Sequence, residues 1–375
     1  MKKAQPDPLS REALRAFDDL FGLHPGFRPV HAKGILLSGT FTPSSSAKAL
    51  TKAPHVNRPS IRVAVRFSDF AGIPTIPDYD ENASPRGLAL RFYLAEHVHT
   101  DIIGHSVDAF PTRTIEEFLE FLHAAGSSGP GAPKPTPIDS FLASHPAALA
   151  FVQMPKPIPT SFARESFFSV SAYKFTNNEG VSKFGRYRIV PPDGNDFLAA
   201  SAAAKKDPNF LFDEVQNRIA RSAIKMRILV QVAAEGDVVD DSTVQWTDER
   251  LLLEFGNLEL NGVVPDGEAA QRQIIFDPIP RVEGIESSGD PLLDPRANVY
   301  LASGRRRFPL SGTLDDLLFA RDKSKTGHVE EEPMFDYADD GVELGRHSVG
   351  ILDEKPGAVE NQIAFVGYVL FAVRS

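Results

Sequence analysis

The chain has 375 residues, of which 42% are hydrophobic and 24% are charged, as is usual for a globular protein with a sizeable core. Forty basic and fifty acidic residues give a formal net charge of −10, so the composition does not support a nucleic-acid or anionic-membrane partner. The absence of cysteine excludes disulfides, thiolate metal ligands and iron–sulfur clusters.

We expect neither end of the given sequence to carry a targeting or membrane-spanning signal. The first ten residues, MKKAQPDPLS, have two lysines but no apolar run behind them, so we expect no signal peptide. The longest apolar stretch, Ile363 to Val373, is too short to cross a bilayer and is typical of a buried strand or helix. We therefore expect a cytoplasmic protein, or a periplasmic one if a leader has been removed.

The first part of the chain predicts one helix followed by strands. Residues 8–23 place apolar side chains at helical spacing, with Ser10 as the expected N-cap. The pattern then becomes rich in β-formers, with alternating polar and apolar residues from Ile61 onward. The strands predicted here are Gly34 to Phe41, Ser60 to Ser68 and Gly87 to Leu94.

The middle of the chain predicts a helix, a loop and a second set of strands. Helical spacing returns at residues 115–124, and the Gly-, Ser- and Pro-rich residues 126–137 are typical of a surface loop. A further helix is expected around residues 213–222. The second set of predicted strands is Ser169 to Thr176, Lys183 to Val190, Lys225 to Val232 and Leu251 to Leu260. We interpret the pattern as four strands, a helical interruption and four more, which can close into an eight-stranded antiparallel barrel.

A last helix is predicted near residue 300. Asp294 is a suitable N-cap, Pro295 suits the first helical position, and the far end is crowded with arginines. On this helix Arg296 and Arg307 project from the same face as Tyr300. A nearby guanidinium favours phenolate, a competent ligand for ferric heme iron and the one associated with catalase. Taken alone, however, a Tyr with an Arg one turn earlier is more often an ordinary packed pair.

Further short segments, read together with the Arg–Tyr helix, resemble the catalase superfamily, and specifically its shorter branch of catalase-related heme peroxidases. The resemblance is continuous over roughly residues 25–310, and the segments occur in the family's order. They are His31-Ala-Lys-Gly34, Val65-Arg66-Phe67-Ser68, Pro85-Arg86-Gly87 through Phe92-Tyr93, Phe276-Asp277-Pro278, Val282 to Glu286, and Asp290 to Leu293.

The resemblance implies an α+β fold, a catalase-like eight-stranded antiparallel β-barrel with surrounding helices and a reduced C-terminal region. It divides the chain into an N-terminal helical segment (1–24), the heme-binding barrel core (25–310) and a short C-terminal extension packed on the core (311–375). Because the long wrapping segment and the large C-terminal helical domain of catalases are missing or much reduced, a monomer or homodimer is expected rather than an interlocked tetramer.

The resemblance also implies a cofactor, heme b, with Tyr300 as the axial ligand of its ferric iron. His31 resembles the distal catalytic histidine, and Ser68 resembles the hydroxyl that bonds its other ring nitrogen. Other residues match positions that contact the heme. Arg28, Arg66 and Arg307 match the arginines that hold its propionates, Arg296 would tune Tyr300, and Phe118 would stack against the ring.

Two departures from typical catalases concern the substrate side of the site. Where catalases have an Asn-Asn pair, this chain has His105-Ser106 after Gly104, so His105 replaces the asparagine that orients peroxide. A histidine can donate a similar hydrogen bond, but it occupies different space and can titrate. Phe70 falls where many catalases have a small apolar residue that narrows the channel.

These features together predict a bacterial heme peroxidase. It would reduce hydrogen peroxide or organic hydroperoxides with a small organic electron donor through an oxyferryl intermediate, with weak catalase activity. One alternative is a hydroperoxide isomerase of the allene-oxide-synthase kind, which needs no external reductant. A second is a non-catalytic barrel that binds heme, because fold does not fix function. The expected Ser68–His31 pair argues against this second alternative, because a protein that only carries heme needs no oriented distal base.

Overall fold

The computed structural model describes residues 7–307, and within them it shows one ten-stranded sheet with nine α-helices around it. The strands are β1 Gly34–Pro43, β2 Ile61–Ser68, β3 Gly87–Ala95, β4 Val98–His105, β5 Phe167–Phe168, β6 Tyr173–Thr176, β7 Ser182–Val190, β8 Ile224–Val232, β9 Leu252–Val263 and β10 Ile285–Ser287. The helices are α1 Pro8–Phe21, α2 Ser45–Leu50, α3 Ile115–Gly126, α4 Pro137–Ser144, α5 Pro146–Gln153, α6 Ala200–Ala203, α7 Phe210–Ile219, α8 Gly267–Gln273 and α9 Leu293–Arg307.

Eight of the strands close into a barrel. They run in the order β1-β2-β3-β4-β5-β7-β8-β9, and β9 pairs with β1 to complete the ring. Every pairing between these strands is antiparallel, while β6 and β10 extend the sheet beside β7. Closure leaves the barrel strands without a free edge. The α+β fold and the eight-stranded antiparallel barrel predicted from the sequence are therefore confirmed.

In the first half of the barrel, the three predicted strands lie within two residues of β1, β2 and β3. The fourth strand, Val98–His105, is not among the segments that the sequence pattern located. It follows β3 after a tight turn at Glu96 and His97, in which His97 adopts a φ of 56°. A non-glycine residue in the left-handed region gives no glycine signal for a turn, so the hairpin is hidden in the sequence.

In the second half, β7, β8 and β9 agree with the predicted strands, whereas the predicted strand Ser169 to Thr176 is only partly formed. The strand begins at Tyr173, because the chain bends before it: the Ser169 hydroxyl donates to the carbonyl of Ser171 at 3.2 Å. The barrel position itself is taken by the two-residue β5, Phe167–Phe168, which pairs with both β4 and β7.

The predicted N-caps of two helices are corrected by the structure. Helix α1 is capped by Asp7, whose carboxylate accepts from the Ser10 N–H, because Pro8 at the first position has no N–H of its own. Helix α9 begins at Leu293, so Asp294 lies in its first turn. The approach to this helix is held by Asp290, whose side chain accepts from the Leu292 N–H at 2.9 Å.

Two apolar clusters surround the region where the predicted site residues lie. One fills the barrel and is dominated by aromatic side chains such as Phe41, Phe67 and Phe255. The other joins α1, α3, α4, α5 and α9 outside the barrel, with α1 contributing residues such as Phe17. Helix α1 therefore packs on the helices beside the barrel. The expected C-terminal extension, residues 311–375, lies outside the described residues.

Candidate active site

A cavity of about 250 Å³ lies at the junction of the barrel and the surrounding helices. Its walls are mainly apolar and aromatic, which favours a largely hydrophobic ligand held by a few polar groups. All nine residues that the sequence assigned to the site line this cavity. They are Arg28, His31, Arg66, Ser68, His105, Phe118, Arg296, Tyr300 and Arg307.

The His31 ring is held through its Nδ1 atom. This nitrogen lies 3.1 Å from the backbone carbonyl oxygen of Asp69 and 3.1 Å from the hydroxyl of Ser68. Because a carbonyl oxygen can only accept, Nδ1 carries the ring proton and donates it to Asp69. The other ring nitrogen, Nε2, is then unprotonated and is the atom with which His31 can accept a proton from a molecule in the cavity.

The backbone around His31 is built to hold this ring. His31 has a φ of 59°, an unusual conformation for a residue with a side chain, and its N–H donates to the carbonyl of Phe70 at 2.6 Å. The Phe70 ring packs edge-on against the imidazole with the ring centres 5.5 Å apart. Gly87 leaves room for the arrangement, since a Cβ there would lie 2.6 Å from Ser68 Oγ and 2.7 Å from His31 Nδ1.

His31 is neutral over the physiological range. Burial, assisted by the charge of Arg66 and by His105, lowers the pKa of His31 to about 3. A histidine that has no proton on Nε2 at neutral pH is a hydrogen-bond acceptor and a potential base there. Its low pKa also means that a proton taken up in a reaction would be readily released again.

His105, at the end of β4, has the opposite hydrogen-bonding arrangement. Its Nδ1 accepts from the backbone N–H of Val107 at 3.3 Å, so in the neutral ring the proton is on Nε2. Burial first, and then the charge of Arg296, lowers the pKa of His105 to about 3. The titration anticipated for this residue therefore lies well below neutral pH. His105 offers the cavity a donor, whereas His31 offers an acceptor.

Tyr300 lies on α9 and faces the cavity together with Arg296, one turn earlier. Nη2 of Arg296 donates to the Tyr300 hydroxyl oxygen at 3.3 Å, and its guanidinium lies 5.8 Å from the centre of the tyrosine ring. Burial lowers the pKa of Arg296, but Tyr300 and Tyr173 outweigh it, and the pKa is raised overall. This cation favours negative charge on the Tyr300 oxygen.

Three further arginines meet at the cavity and bond only to neutral partners among residues 7–307. Arg28 donates to the carbonyls of Gln271 and Ile274, both at 3.0 Å. Arg66 donates to the Gln271 side chain at 2.6 Å and to two backbone carbonyls. Arg307 donates to Ser303 and also to the Ile274 carbonyl. Within the described part of the chain, none of the three forms an ion pair.

The three arginines repel one another, because all carry positive charge. Burial, followed by the charges of Arg66 and Arg307, lowers the pKa of Arg28 well below its ordinary value. Burial and Arg307 lower the pKa of Arg66 to about 9, and burial lowers the pKa of Arg307 to about 10. Arg66 and Arg307 are buried and Arg28 is half-buried, and three such cations that share neutral acceptors form a site for a ligand with carboxylates. An apolar cavity with such a cationic end fits heme, whose ring is apolar and whose propionates are anionic.

Phe118, on α3, belongs to an aromatic cluster on the helical side of the cavity. Its ring centre lies 5.2 Å from Phe110, 6.0 Å from Phe17 and 6.3 Å from Phe121. The side chain is only half-buried and lines the cavity, so one part of the ring contacts the cluster and another faces the cavity. Both interpretations of Phe118, as a packing residue and as a wall for a flat ligand, are compatible with this placement.

Comparison with known proteins agrees with this geometry. The family model described as Catalase matches residues 25–317. The chain belongs to the catalase family. It is 31% identical to a catalase-related peroxidase of Mycolicibacterium paratuberculosis over 79% of this chain and 94% of that protein. It is also 31% identical to a catalase-related peroxidase of Synechococcus elongatus, again over 79% of this chain, and over 88% of that protein. The protein is thus an oxidoreductase of the short catalase-related branch that acts on peroxide.

The same fold occurs in a fungal catalase of known structure. That structure matches with a TM-score of 0.68 and 19% sequence identity, covering 87% of this chain and 74% of the fungal one. At this identity the match shows the fold alone. Membership of the catalase family implies heme as the cofactor. Among residues 7–307 no helix is long and apolar enough to cross a membrane.

The sequence did not predict the polar residues that lie behind the site. Gln271, on α8, bonds both Arg28 and Arg66, and a fully buried cluster around Arg86 includes Asp69 and Glu165. The sequence offered one signal for the cluster: Asp69 is a charged residue directly after a buried strand that ends at Ser68. Its partners lie at distant positions in the chain, so their contacts could not be read from local spacing.

Proposed function

We propose that this protein is a peroxidase that holds heme b in the cavity, with Tyr300 as the axial ligand. The observation that carries the proposal is the shared cavity: His31 and Tyr300 line the same apolar space, and three arginines without ion-pair partners in the described chain lie at its edge. Arg28, Arg66 and Arg307 would bind the two propionates, and Phe118 would contact the ring.

Heme would supply the redox chemistry, because it can give two electrons to the peroxide O–O bond and recover them from an organic donor. The protein's own residues would handle the protons. Nε2 of His31 would accept the proton of the hydroperoxide O–H group and return it to the departing oxygen, which leaves as water or alcohol. The Nε2–H group of His105 would donate a hydrogen bond that orients the substrate oxygen atoms.

Tyr300 would bind as phenolate, and Arg296 would tune it. The guanidinium donates to the tyrosine oxygen and remains charged. It would therefore stabilise the negative charge of the phenolate oxygen. Ser68 and the Asp69 carbonyl would keep His31 in the tautomer that accepts a proton.

We propose that a small organic donor, rather than a second peroxide, usually completes the cycle, so that catalase activity is weak. This rests on two features of the cavity. His105 stands where catalases carry asparagine, and the Phe70 ring, packed against His31, fills space beside the distal base. The isomerase alternative needs no donor at all, which makes dependence on a donor the discriminating observation.

The remaining proposals concern organisation. We propose that residues 25–310 form the heme-binding core, preceded by the helical segment 1–24 and followed by the extension 311–375. A monomer or homodimer is proposed in place of an interlocked tetramer. We propose a bacterial protein in the cytoplasm, or in the periplasm after removal of a leader; the two relatives with 31% identity are bacterial catalase-related peroxidases.

The proposed function is tested by spectroscopy on the heme-loaded protein. Hemin is titrated into the purified protein, one equivalent of hydroperoxide is added, and a phenolic donor follows. We expect one heme per chain, a spectral change with hydroperoxide, and recovery of the starting spectrum with the donor. Absence of heme binding contradicts the proposal, and heme without any reaction indicates a binding protein.

Variants test the role of Tyr300, and product analysis distinguishes a peroxidase from an isomerase. Tyr300→Phe, which keeps the ring and removes the ligand atom, should lose the tyrosinate-type spectrum. Arg306→Gln, on the same helix but bound to Asp18 at the surface, should retain it. Conversion of a fatty-acid hydroperoxide to a rearranged product in the absence of any donor would favour the isomerase.

A further inference from the structure

Behind His31 lies a group of five charged side chains that the proposed reaction does not use. Asp69, Asp78 and Arg86 are completely buried, Glu165 is nearly so, and Lys33 reaches them from the edge. Within the described part of the chain, these are three potential anions and two cations. A buried group of this size and composition is costly to assemble, so its position next to the site requires a reason.

Arg86 is the centre of the group. Its guanidinium donates to the carboxylate of Asp69 and to the backbone carbonyls of Ala83 and Asp78. Its backbone N–H donates to the hydroxyl of Ser106 at 2.9 Å, and its own carbonyl accepts from the Ser106 N–H. One fully buried residue therefore ties together the segment that follows β2 and the segment that follows β4.

Each of those two segments lies next to one of the two cavity histidines, the first next to His31 and the second next to His105. Asp69 presents its backbone carbonyl to Nδ1 of His31, and the same residue's carboxylate is bound by Arg86. Asp69 also donates its N–H to the Lys33 carbonyl, so hydrogen bonds hold both its backbone and its side chain. Ser106 directly follows His105. The ionic group thus fixes the carbonyl that selects the His31 tautomer.

The charges of the group balance when Glu165 is protonated. Burial raises the pKa of Glu165 to about 8, against the opposing charge of Arg86, and among residues 7–307 its Oε2 atom has no hydrogen-bond partner. Lys33 and Arg86 then face ionised Asp69 and Asp78. Burial also raises the pKa of Asp69, to about 7, while Arg86 opposes the rise and Asp78 adds to it.

We propose that Asp69 is a positioning residue for His31: its carboxylate, held by Arg86, keeps the Asp69 carbonyl on Nδ1 of His31 and so maintains the proton-accepting tautomer. The inference rests on the proposed function in taking His31 as the proton acceptor. When Asp69 is neutral, its hold on Arg86 weakens, the carbonyl is free to move, and the ring can place its proton on Nε2 instead.

The test uses cyanide binding to the heme-loaded protein between about pH 5 and 8. Cyanide is present as its neutral acid over this range, and it needs a base to take its proton as it binds. His31 stays neutral there, so its own titration cannot produce a step. We expect the association rate of the unaltered protein to fall roughly tenfold as pH decreases through the range in which Asp69 gains a proton.

Asp69→Asn should show the lower rate at every pH, without the step, because its side chain is always neutral. Asp78→Asn is the matched control: it removes a charge of the same group at an equally buried position, but its backbone does not contact the His31 ring. Its step should persist and move to lower pH, because Asp78 raises the Asp69 pKa. A flat profile for the unaltered protein, or the same profile in Asp69→Asn, would overturn the proposal.

A second measurement needs no heme and no substitution at Asp69. Nitrogen NMR of the heme-free protein with labelled histidine reports which ring nitrogen of His31 is protonated, with the signal assigned by its loss in His31→Gln. We expect a protonated Nδ1 at pH 8 and a mixture of tautomers near pH 6. One unchanged tautomer at both values would contradict the role of Asp69. If the protein binds no heme, the proposed function fails, yet this measurement still decides the role of Asp69.

Discussion

His31 and His105 face the same cavity as a complementary pair. Nδ1 of His31 donates to the Asp69 carbonyl, whereas Nδ1 of His105 accepts from the Val107 N–H, so one Nε2 is a lone-pair acceptor and the other is a donor. Both rings remain neutral at physiological pH, because burial lowers both pKa values to about 3. Two neutral histidines thus offer the two hydrogen-bonding roles that a hydroperoxide needs.

Replacement of the acceptor should slow the peroxide step strongly and leave the cofactor in place. In His31→Gln we expect heme content close to that of the unaltered protein and a single-turnover rate with hydroperoxide lower by about 10²- to 10⁴-fold, the usual contribution of a general base. Stopped-flow absorbance measures the rate. His99→Gln, on the same strand as His105, is the control and should react normally. An unchanged rate in His31→Gln would refute its role.

Replacement of the donor should alter the balance between the two activities. His105→Asn introduces the asparagine that the family resemblance leads us to expect here, keeps a donor and gives peroxide more room. We expect the ratio of oxygen release to donor oxidation to rise several-fold, measured with an oxygen electrode and a phenolic donor. His105→Ala, which has no donor, should lower both activities. A ratio that stays constant in His105→Asn would mean that this position does not limit catalase activity.

The arginine group should stabilise the loaded protein and destabilise the heme-free one. In Arg28→Gln one of three repelling cations is removed, so we expect a higher melting temperature without heme. Heme affinity should fall by about tenfold or more, the scale of one charge-assisted hydrogen bond. Arg306→Gln, at the surface, should change neither quantity by much. Normal heme affinity in Arg28→Gln would show that Arg28 does not bind a propionate.

The parts of the site that the sequence could predict are those defined by local spacing or by the family resemblance. Helical periodicity alone put Arg296 and Tyr300 on one face, and both line the cavity. The Asp294 cap was wrong because the chain enters the helix through Asp290. The link between Arg86 and Asp69 could not be predicted. It joins the two ends of the connection between β2 and β3, and no local periodicity encodes a contact of this kind.

Glu165 should make stability depend on pH. Its pKa is about 8 in the folded protein and near 4.5 when unfolded, so only the folded state holds the proton between these values. The contribution of Glu165 to stability is fully present below about pH 4.5 and is lost as pH rises towards 8. Glu165→Gln, which cannot ionise, should gain melting temperature relative to the unaltered protein across this window, with a constant difference above it.

The control for that comparison is Glu286→Gln. Glu286 is paired with Lys174 at the surface, where its side chain is 63% exposed, so this variant should show no such trend. Melting curves at a series of pH values measure the difference for both variants. A difference between Glu165→Gln and the unaltered protein that does not change with pH would show that Glu165 ionises normally in the folded state.

His55 should act in the opposite pH direction. It is buried inside the barrel, and its ring stacks on Phe92 at 4.8 Å. Neither ring nitrogen has a hydrogen-bond partner within the described part of the chain. Burial lowers the pKa of His55 from 6.5 to about 3, so between these values only the unfolded chain is protonated. Stability due to this residue is therefore present above about pH 6.5 and is lost as pH falls towards 3.

His55→Phe should remove the pH dependence and the cost of the unpaired ring nitrogens. The ring borders a cavity of about 10 Å³, which leaves space for the larger side chain, and the substitution eliminates two unsatisfied buried nitrogens. We expect a gain of about 1–3 kcal/mol in the free energy of unfolding at pH 7, increasing at lower pH. Urea unfolding at pH 7 and pH 5 measures it, with the exposed His123→Phe as control. A loss of stability would mean that the His55 nitrogens are bonded through water in that cavity.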